Sequence, residues 1–340
     1  MGTTTIPLNF RRGYIYSYNL TVEQNINNFV FSAAFVGANS IRPLTYMNVN
    51  AAPAGGGQAG RILNSTHGGN WNDINHLTPY GNSYYDALQS KLTRRFAGSS
   101  VVGLIYTWSK TINFEDNEDI NFVLRPYPAY LQYNRAVAGF DRASNFQAYT
   151  VYELPFGRGK QWATSGISSA LFGGWKVGGV ASALTGMPFT VTDTNGNTLN
   201  APGNTQTPNI IAAIHILKGK PNPIPGNCAD DSCKYFNVEA FQHVATAGVF
   251  GNAGRNIIRG PGFFELDGSL YRTFRITERF RFEFEANAIG LTNTPHFGNP
   301  TSDINNSNFG KITGSLATTN TSLGGSGGER EWYFGGKVAF

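Results

Sequence analysis

The chain has 340 residues, of which 14% are charged and another 14% are aromatic, and it contains 41 glycines, 25 phenylalanines and 16 tyrosines. Residues that favour helix surfaces are sparse and residues that suit turns and half-exposed strands are abundant, which excludes an ordinary helical or α/β protein and indicates an all-β chain. The net charge of +5 comes from scattered basic residues rather than from a basic stripe, so we expect no nucleic-acid partner.

Nine segments alternate between one apolar row and one small or polar row, as strands with two different faces do. In chain order, the predicted strands are 14–22, 29–37, 84–96, 101–110, 145–154, 175–185, 263–274, 280–291 and 331–340. Such strands separate an apolar medium from an aqueous one. The row expected to face a membrane contains Phe280, Phe282, Phe284, Tyr106 and Trp108, and the row expected to face an aqueous lumen contains Arg281, Glu283, Glu285 and Asn287.

The connections between the predicted strands alternate strictly in length. The short ones are 24–28, 97–100, 155–174 and 275–279, and the long ones are 40–83, 111–144, 190–262 and 292–330. All long loops then lie at one end, which is the arrangement of bacterial outer-membrane barrels with short periplasmic turns and long extracellular loops. The chain also lacks an apolar run of about 18 residues, so a helix cannot span the bilayer. We therefore predict an antiparallel transmembrane β-barrel in contact with outer-membrane lipid.

Nine antiparallel strands cannot close a barrel, because the first and last strands would meet in parallel and bacterial single-chain barrels have even strand numbers. The first residues also lack the charged and apolar regions of a secretory signal. We expect residues 1–340 to be a partial barrel, about nine strands of a larger one, from which the signal peptide is absent.

Aromatic residues near strand ends are expected to mark the two membrane interfaces, where amphipathic rings prefer to lie. The predicted outer rim contains Trp108, Phe189, Phe264 and Trp332, and the predicted inner rim contains Phe96, Tyr152, Trp175, Phe274, Phe280 and Phe340.

The last ten residues, EWYFGGKVAF, resemble the carboxy-terminal assembly signal of outer-membrane proteins. The alternating row of that signal corresponds here to Trp332, Phe334, Val338 and the terminal Phe340, and Gly336 is smaller than the usual residue. The resemblance implies the barrel-assembly machinery as a partner, to which an unpaired last strand would offer its edge.

Several phrases resemble TonB-dependent receptors of the Oar-like group, whose amino ends carry a carboxypeptidase-regulatory-like domain. They are YYDALQSKLTRRF at 84–96, YTWSK at 106–110, YELPFGRGK at 152–160, GGWKVGG at 173–179, GNAGRNIIRGPG at 251–262 and NTPHFGNP at 293–300. The resemblance implies a barrel of about 22 strands with a plugged lumen. It further implies the TonB energy-coupling system as a partner, acting through a plug domain and TonB box that are absent from this chain. The implied role is import of a small solute, and siderophores, carbohydrates and peptides stay open.

No catalytic constellation is found, so we expect no enzymatic activity, no cofactor and no metal site. The five histidines lack paired ligand spacing and are interpreted as solvated loop residues. Glu115, Asp116, Glu118 and Asp119 are interpreted as a solvated loop tip, with calcium binding as the alternative. Cys228 and Cys233 are expected to form a local disulfide in an oxidising compartment. Two other functions stay open, a passive porin or structural barrel and a soluble β-sandwich binding domain.

Overall fold

The structure is a computed structural model that describes residues 3–96, 100–116, 123–194, 198–217, 233–316 and 328–340. Nine long strands form one continuous antiparallel sheet, and each overlaps one of the nine predicted strands. Their bounds are β1 Tyr14–Ile26, β2 Phe29–Ile41, β3 Asn82–Arg95, β4 Val101–Asn113, β5 Ser144–Glu153, β6 Trp175–Leu184, β7 Phe263–Arg275, β8 Arg281–Ile289 and β9 Glu331–Ala339.

Each long strand pairs with its neighbours in sequence, so the sheet is a simple meander. β1 and β9 are its two edges within the described residues, and the sheet is an open segment of a barrel wall. Because consecutive strands are antiparallel, the four short turns lie at one end and the four long loops lie at the other, as predicted. A β-sandwich needs two packed sheets, and the described long strands form a single sheet, so the sandwich alternative is wrong.

Among the described residues, short elements lie before β1 and in the connections between the long strands. The two α-helices are α1 Ile62–His67 and α2 Gly166–Phe172, and 3-10 helices span Pro128–Asn134 and Val238–Ala240. The short strands are Thr3–Thr5, Leu44–Asn48, Ile74–Pro79, Ala136–Val137, Pro188–Phe189, Asn209–Ile210, Phe241–Gln242 and Ile258–Arg259. In the part of the chain that the structure describes, no helix is long and apolar enough to cross a membrane.

The strand register gives the sheet two chemically different faces, because residues paired directly across a ladder point to the same side. On β7 the apolar face carries Phe264, Leu266, Leu270 and Phe274, and the polar face carries Glu265, Asp267, Ser269 and Thr273. Phe282 pairs with Phe274 and with Val338, which extends the apolar face across β7, β8 and β9. Glu283 pairs with Thr273 and Lys337, which extends the polar face in the same way.

The four long loops leave the apolar face uncovered in the described residues. It exposes large side chains from one edge to the other: Leu20 is 70% exposed on β1, Phe35 is 47% exposed on β2 and Phe334 is 71% exposed on β9. An apolar surface of this extent is not left in water by a folded protein.

Glycines on the sheet accommodate tyrosine rings from neighbouring strands. A Cβ at Gly103 of β4 would lie 2.2 Å from Cζ of Tyr149 on β5, so the ring occupies the space beside the glycine. Gly37 of β2 is covered in the same way by Tyr18 of β1. The tyrosine rings thus fill gaps that the glycines leave in the wall.

We expect Gly103→Val to destabilise the folded sheet by about 1–3 kcal/mol, because the new side chain must displace the Tyr149 ring. The free energy of unfolding can be measured by urea titration of the refolded full-length protein. Thr107→Val, on the same face of β4, is the matched control and should change stability by less than about 0.5 kcal/mol. Equal effects of the two variants would contradict the packing role of Gly103.

Candidate functional site: the loop cap

The described parts of the four long connections fold together into one structure, which we call the loop cap. Loop 1 is 42–81, loop 2 is 114–143, loop 3 is 185–262 and loop 4 is 290–330. The described parts of loops 3 and 4 contain a buried hydrophobic core. That core consists of Phe189, Val191, Phe236, Ala240, Phe241, Ala253 and Ile258, with Ile210, Ile214, Tyr235, Val238, Ile304 and Phe309 packed against it.

Phe236 lies at the centre of the loop-cap core and is fully buried. Its ring centroid lies 5.8 Å from that of Phe241 and 5.4 Å from that of Phe309, both edge to face. Such pairs add to the free energy gained by burying the rings. The long loops therefore hold their shape by ordinary core packing.

Phe189 corrects one prediction, because it belongs to this core and not to the outer membrane rim. The chain leaves β6 at Leu184 and turns closely past another backbone segment at Gly186, where a Cβ would lie 1.7 Å from the carbonyl oxygen of Gly260. That close approach directs Phe189 into the cap.

Backbone hydrogen bonds connect the loops to one another. Loop 1 is bonded to loop 3 through Ala52 N to Pro202 O at 2.9 Å, Gly55 N to Leu199 O at 2.9 Å and Gly57 N to Asn200 O at 2.7 Å. Loop 3 is bonded to loop 4 through Thr192 N to Ser302 O at 2.9 Å and Tyr235 N to Gly310 O at 2.8 Å. Loop 3 is the hub of the cap.

Buried charges connect loop 2 to loop 3. Arg255 is 7% exposed, and its Nη2 donates to the carbonyl oxygen of Asn113 at 2.7 Å. Its Nη1 lies 3.0 Å from Oδ2 of Asp116. Arg259 Nη2 lies 2.5 Å from Oδ2 of the fully buried Asp141. Arg255 and Arg259 both belong to the phrase at 251–262, and the resemblance of that phrase predicts no role for either arginine.

Arg125 makes a second connection of the same kind. It is 8% exposed, its Nη2 donates to Oγ1 of Thr207 at 2.7 Å, and its guanidinium lies 4.4 Å from the ring centroid of Phe250. Burial lowers the pKa of the Arg125 guanidinium, and the nearby Tyr133 raises it. No local pattern in the sequence marks these sites, because Arg125 and Thr207 are 82 positions apart.

The acidic cluster does not form a solvated loop tip where it is described. Asp116 accepts hydrogen bonds from Gly139 N and from Asn256 Nδ2, besides its ion pair with Arg255. Glu115 is half-buried, and its Oε2 accepts no hydrogen bond from any described residue. Both carboxylates turn inward, and that interpretation was wrong for them. Glu118 and Asp119 lie outside the described residues, and no cluster able to hold a metal occurs among the described ones.

Burial raises the pKa of Glu115 to about 7, although a hydrogen bond from Thr45 and the charge of Arg255 lower it. A carboxyl that is harder to ionise in the folded cap than in the unfolded chain stabilises the cap most at low pH. The stabilisation is complete below the unfolded pKa and is lost as the pH rises through about 7.

The cap covers the polar face of the sheet and leaves the apolar face free. Four polar-face side chains near the loop end of the strands are buried: Thr111 and Asn113 of β4, Ser182 of β6 and Glu265 of β7. At a similar level on the apolar face, Trp108 is 62% exposed and Phe264 is 44% exposed. The loops therefore fold toward one side only.

One histidine differs from the expectation that all five are solvated, whereas His67, His215 and His243 are exposed in the long loops. His296 is buried, and its ring centroid lies 4.4 Å from that of Phe263, so it was wrong to interpret it as solvated. His243 Nδ1 lies 3.1 Å from Oδ1 of Asp193, and His76 bonds to Thr5 at 2.7 Å. The contact of His243 lies within loop 3, and the contact of His76 joins loop 1 to the segment before β1.

The remaining predicted residues lie apart from the cap. Arg281, Glu283, Glu285 and Asn287 share the polar face of β8, whereas Phe282 and Phe284 share its apolar face, as do Tyr106 and Trp108 on β4. Trp332 and Phe334 stack on β9 with 9° between their rings, and Phe280 contacts Phe340 at 6.4 Å. A Cβ at Gly336 would lie 3.1 Å from the Phe282 ring, which explains the small residue there.

Cys233 is buried, and Cys228 lies outside the described residues, so the disulfide stays a prediction.

We expect Arg255→Met to loosen the cap by about 3 kcal/mol, because it leaves Asp116 partly buried without its cation. Hydrogen exchange followed by mass spectrometry should show faster exchange in peptides of loops 2 and 3. Arg135→Met is the matched control, since Arg135 is an exposed arginine of loop 2. Protection that is unchanged in Arg255→Met would contradict the connection between these loops.

We expect Glu115→Gln to remove a pH dependence of the cap. The measurement is hydrogen exchange of the loop 2 amides, with rates corrected for the intrinsic pH dependence of exchange. In the unchanged protein these rates should slow as the pH falls from 8 through about 7 toward 5. In the variant the corrected rates should be flat over this window and slower than those of the parent at pH 8. A parent cap that loosens toward pH 5 would show that the sign is wrong.

A family model described as the outer membrane beta barrel domain matches residues 1–330. No curated protein matches the chain. Among solved structures, the chain is similar to the outer membrane transporter YddB from Escherichia coli, with a TM-score of 0.48 and 8% sequence identity. The match covers 99% of this chain and 34% of the transporter, so the chain spans about a third of that protein's length. The family match covers nearly the whole chain, which therefore belongs to the outer membrane β-barrel family and is located in the bacterial outer membrane.

Proposed function

We propose that the chain is the barrel segment of a TonB-dependent outer-membrane receptor that imports a scarce solute. In this proposal the apolar face contacts lipid, the polar face lines the lumen, and the loop cap forms the recognition surface at the extracellular mouth. The observation that carries the proposal is the one-sided fold of the cap over the polar face.

The orientation of the sheet follows from where the exposed apolar residues lie. Removing apolar surface from water is favourable by about 25 cal/mol per Å². The bilayer can take up the apolar face, because that face is continuous from β1 to β9 and none of the four long loops covers it in the described residues. The polar face, with Glu283 and Lys337 as direct cross-strand partners, suits water or a plug.

The cap favours a gated receptor over a simple pore. Buried polar residues at the loop end of the polar face support this proposal, because the loops fold over the face assigned here to the lumen. A passive pore needs an open aqueous path, whereas a receptor needs a folded surface that binds the solute before transport.

Energy coupling through TonB is inferred from the resemblance of the phrases. One of these phrases, at 251–262, contains Arg255 and Arg259, the residues that join loops 2 and 3.

The orientation predicts opposite environments for two neighbouring residues of β9. Phe334 and Tyr333 are 71% and 50% exposed and point to opposite faces. In the full-length protein in phospholipid bilayers, a nitroxide at Phe334→Cys should be relaxed more strongly by oxygen, which partitions into lipid. A nitroxide at Tyr333→Cys should respond less to oxygen. The reverse order would place the faces the other way round.

Conductance in planar bilayers tests the receptor against the porin. The full-length receptor in potassium chloride should be nearly silent, and Arg255→Met should leave it silent, because the plug of such a receptor blocks the pore even when the cap is loosened. A steady ohmic current in the unchanged protein would instead support the porin. Binding of the full-length protein to the purified periplasmic domain of TonB tests the coupling directly, and no binding would overturn that part of the proposal.

A further inference from the structure

Helix α2, Gly166–Phe172, lies in the longest of the turns at the end of the sheet opposite the cap. Three of its seven residues are large, apolar and mostly exposed: Ile167 at 79%, Leu171 at 58% and Phe172 at 59%. A periplasmic turn surrounded only by water gains nothing from presenting such side chains.

The carboxyl end of α2 is bound to the apolar face of the sheet. Arg272 of β7 donates from Nη1 to the carbonyl oxygen of Leu171 at 2.6 Å and from Nη2 to that of Ala170. Trp175 donates from Nε1 to the same Leu171 oxygen at 2.9 Å. The last carbonyls of a helix have no partners within the helix, so these three donors satisfy groups that would otherwise be open.

Arg272 is unusual, because it is an arginine on the apolar face. It pairs directly with Trp175 on β6 and Phe284 on β8, and it is 8% exposed. Its guanidinium lies 5.2 Å from the Trp175 ring centroid and 4.2 Å from that of Phe274. An arginine facing lipid costs about 2–4 kcal/mol at the bilayer midplane and little near the interface. Aromatic faces and helix carbonyls offset that cost here, at the short-turn end of the strand.

These contacts fix α2 on the outside of the barrel wall. The turn is closed by a backbone contact, since a Cβ at Gly157 would lie 2.9 Å from Cα of Gly173. The apolar side chains of the helix continue the apolar face, where the Trp175 ring contacts those of Phe274 and Phe284 at 6.1 Å each. The helix and the aromatic rim therefore form one surface.

We propose that α2 is a membrane-interface anchor that lies in the periplasmic leaflet, with Ile167, Leu171 and Phe172 among the acyl chains of phospholipids. The occupant of this surface is lipid, because the surface is continuous with the face that the barrel presents to the bilayer. The inference rests on that orientation of the sheet and is independent of solute import. Short amphipathic helices bind at this depth by burying one apolar side.

Site-directed spin labelling tests the anchor in the full-length protein reconstituted in bilayers of phosphatidylethanolamine and phosphatidylglycerol. Nitroxides at Ile167→Cys and Leu171→Cys should be relaxed several-fold more by oxygen than by a water-soluble nickel chelate. The matched control is Ala170→Cys, an exposed residue of the same helix that lies off the side shared by Ile167, Leu171 and Phe172 and should therefore favour the chelate. Strong relaxation by the chelate at 167 and 171 would overturn the proposal. Low accessibility to both reagents would also overturn it, by indicating a protein partner.

The 334 and 333 labels are measured under the same conditions. Lipid exposure at 334 together with water exposure at 167 and 171 refutes the anchor and leaves the orientation of the sheet intact. Reversed labels at 334 and 333 refute the orientation itself.

Arg272→Leu tests what holds the helix in place. We expect the excess of oxygen over chelate relaxation at 171 to be largely lost, and the signal at 334 to be unchanged. Arg272→Lys should be intermediate, because an ammonium cannot reach two carbonyls and two rings in the same geometry. Heat-modifiable electrophoretic mobility verifies that each variant is folded. An unchanged signal at 171 in folded Arg272→Leu would remove Arg272 from the anchor.

Discussion

Complete hydrogen bonding of the backbone is the constraint on which the rest of this structure depends. In the hydrocarbon region no water is available to an open N–H or C=O group, so the strands must pair over their full length. Pairing at full length fixes the register, and the register fixes which side chains share a face. The pairs of Phe282 with Phe274 and Val338, and of Glu283 with Thr273 and Lys337, are direct consequences of one ladder. In the proposed orientation, this register alone gives the sheet one side for lipid and one side for water.

The same constraint explains where the loops can lie. Irregular backbone has many open polar groups, so long loops fold where they can bond to each other or to polar side chains. The cap satisfies both conditions over the polar face, where Asp141 accepts a hydrogen bond from Thr111 N at 2.6 Å. Helix α2 lies on the apolar side of the sheet. The carbonyl at its carboxyl end accepts hydrogen bonds from Arg272 and Trp175. The arginine on the apolar face gains hydrogen-bond acceptors from the helix, and the helix end gains hydrogen-bond donors from the arginine.

Local periodicity made the sheet predictable from the sequence. A strand repeats every two residues, so the alternation from Phe280 onward identifies both the strand and its faces, and the alternating loop lengths give the order and direction of the strands. The cap was not predictable in this way. Arg255 meets Asn113 across 142 positions and Arg259 meets Asp141 across 118, and no local pattern encodes such pairings. Phe189 was misplaced for the same reason, since an aromatic residue after a strand suits a membrane rim and a loop core equally well.

The kinds of bond within the cap differ between its parts, and this difference determines how much free energy it costs to separate two loops. Among the described residues, the ion pairs that join two loops connect loop 2 to loop 3, through Arg255 with Asp116 and Arg259 with Asp141. Loop 1 is attached to loop 3 by neutral backbone hydrogen bonds around Gly55 and Gly57. Separating these pairs leaves the buried Arg255 and Asp141 without their partner charges, whereas water replaces a lost neutral hydrogen bond at small net cost. The contact between loops 2 and 3 is therefore more costly to open than the contact between loops 1 and 3.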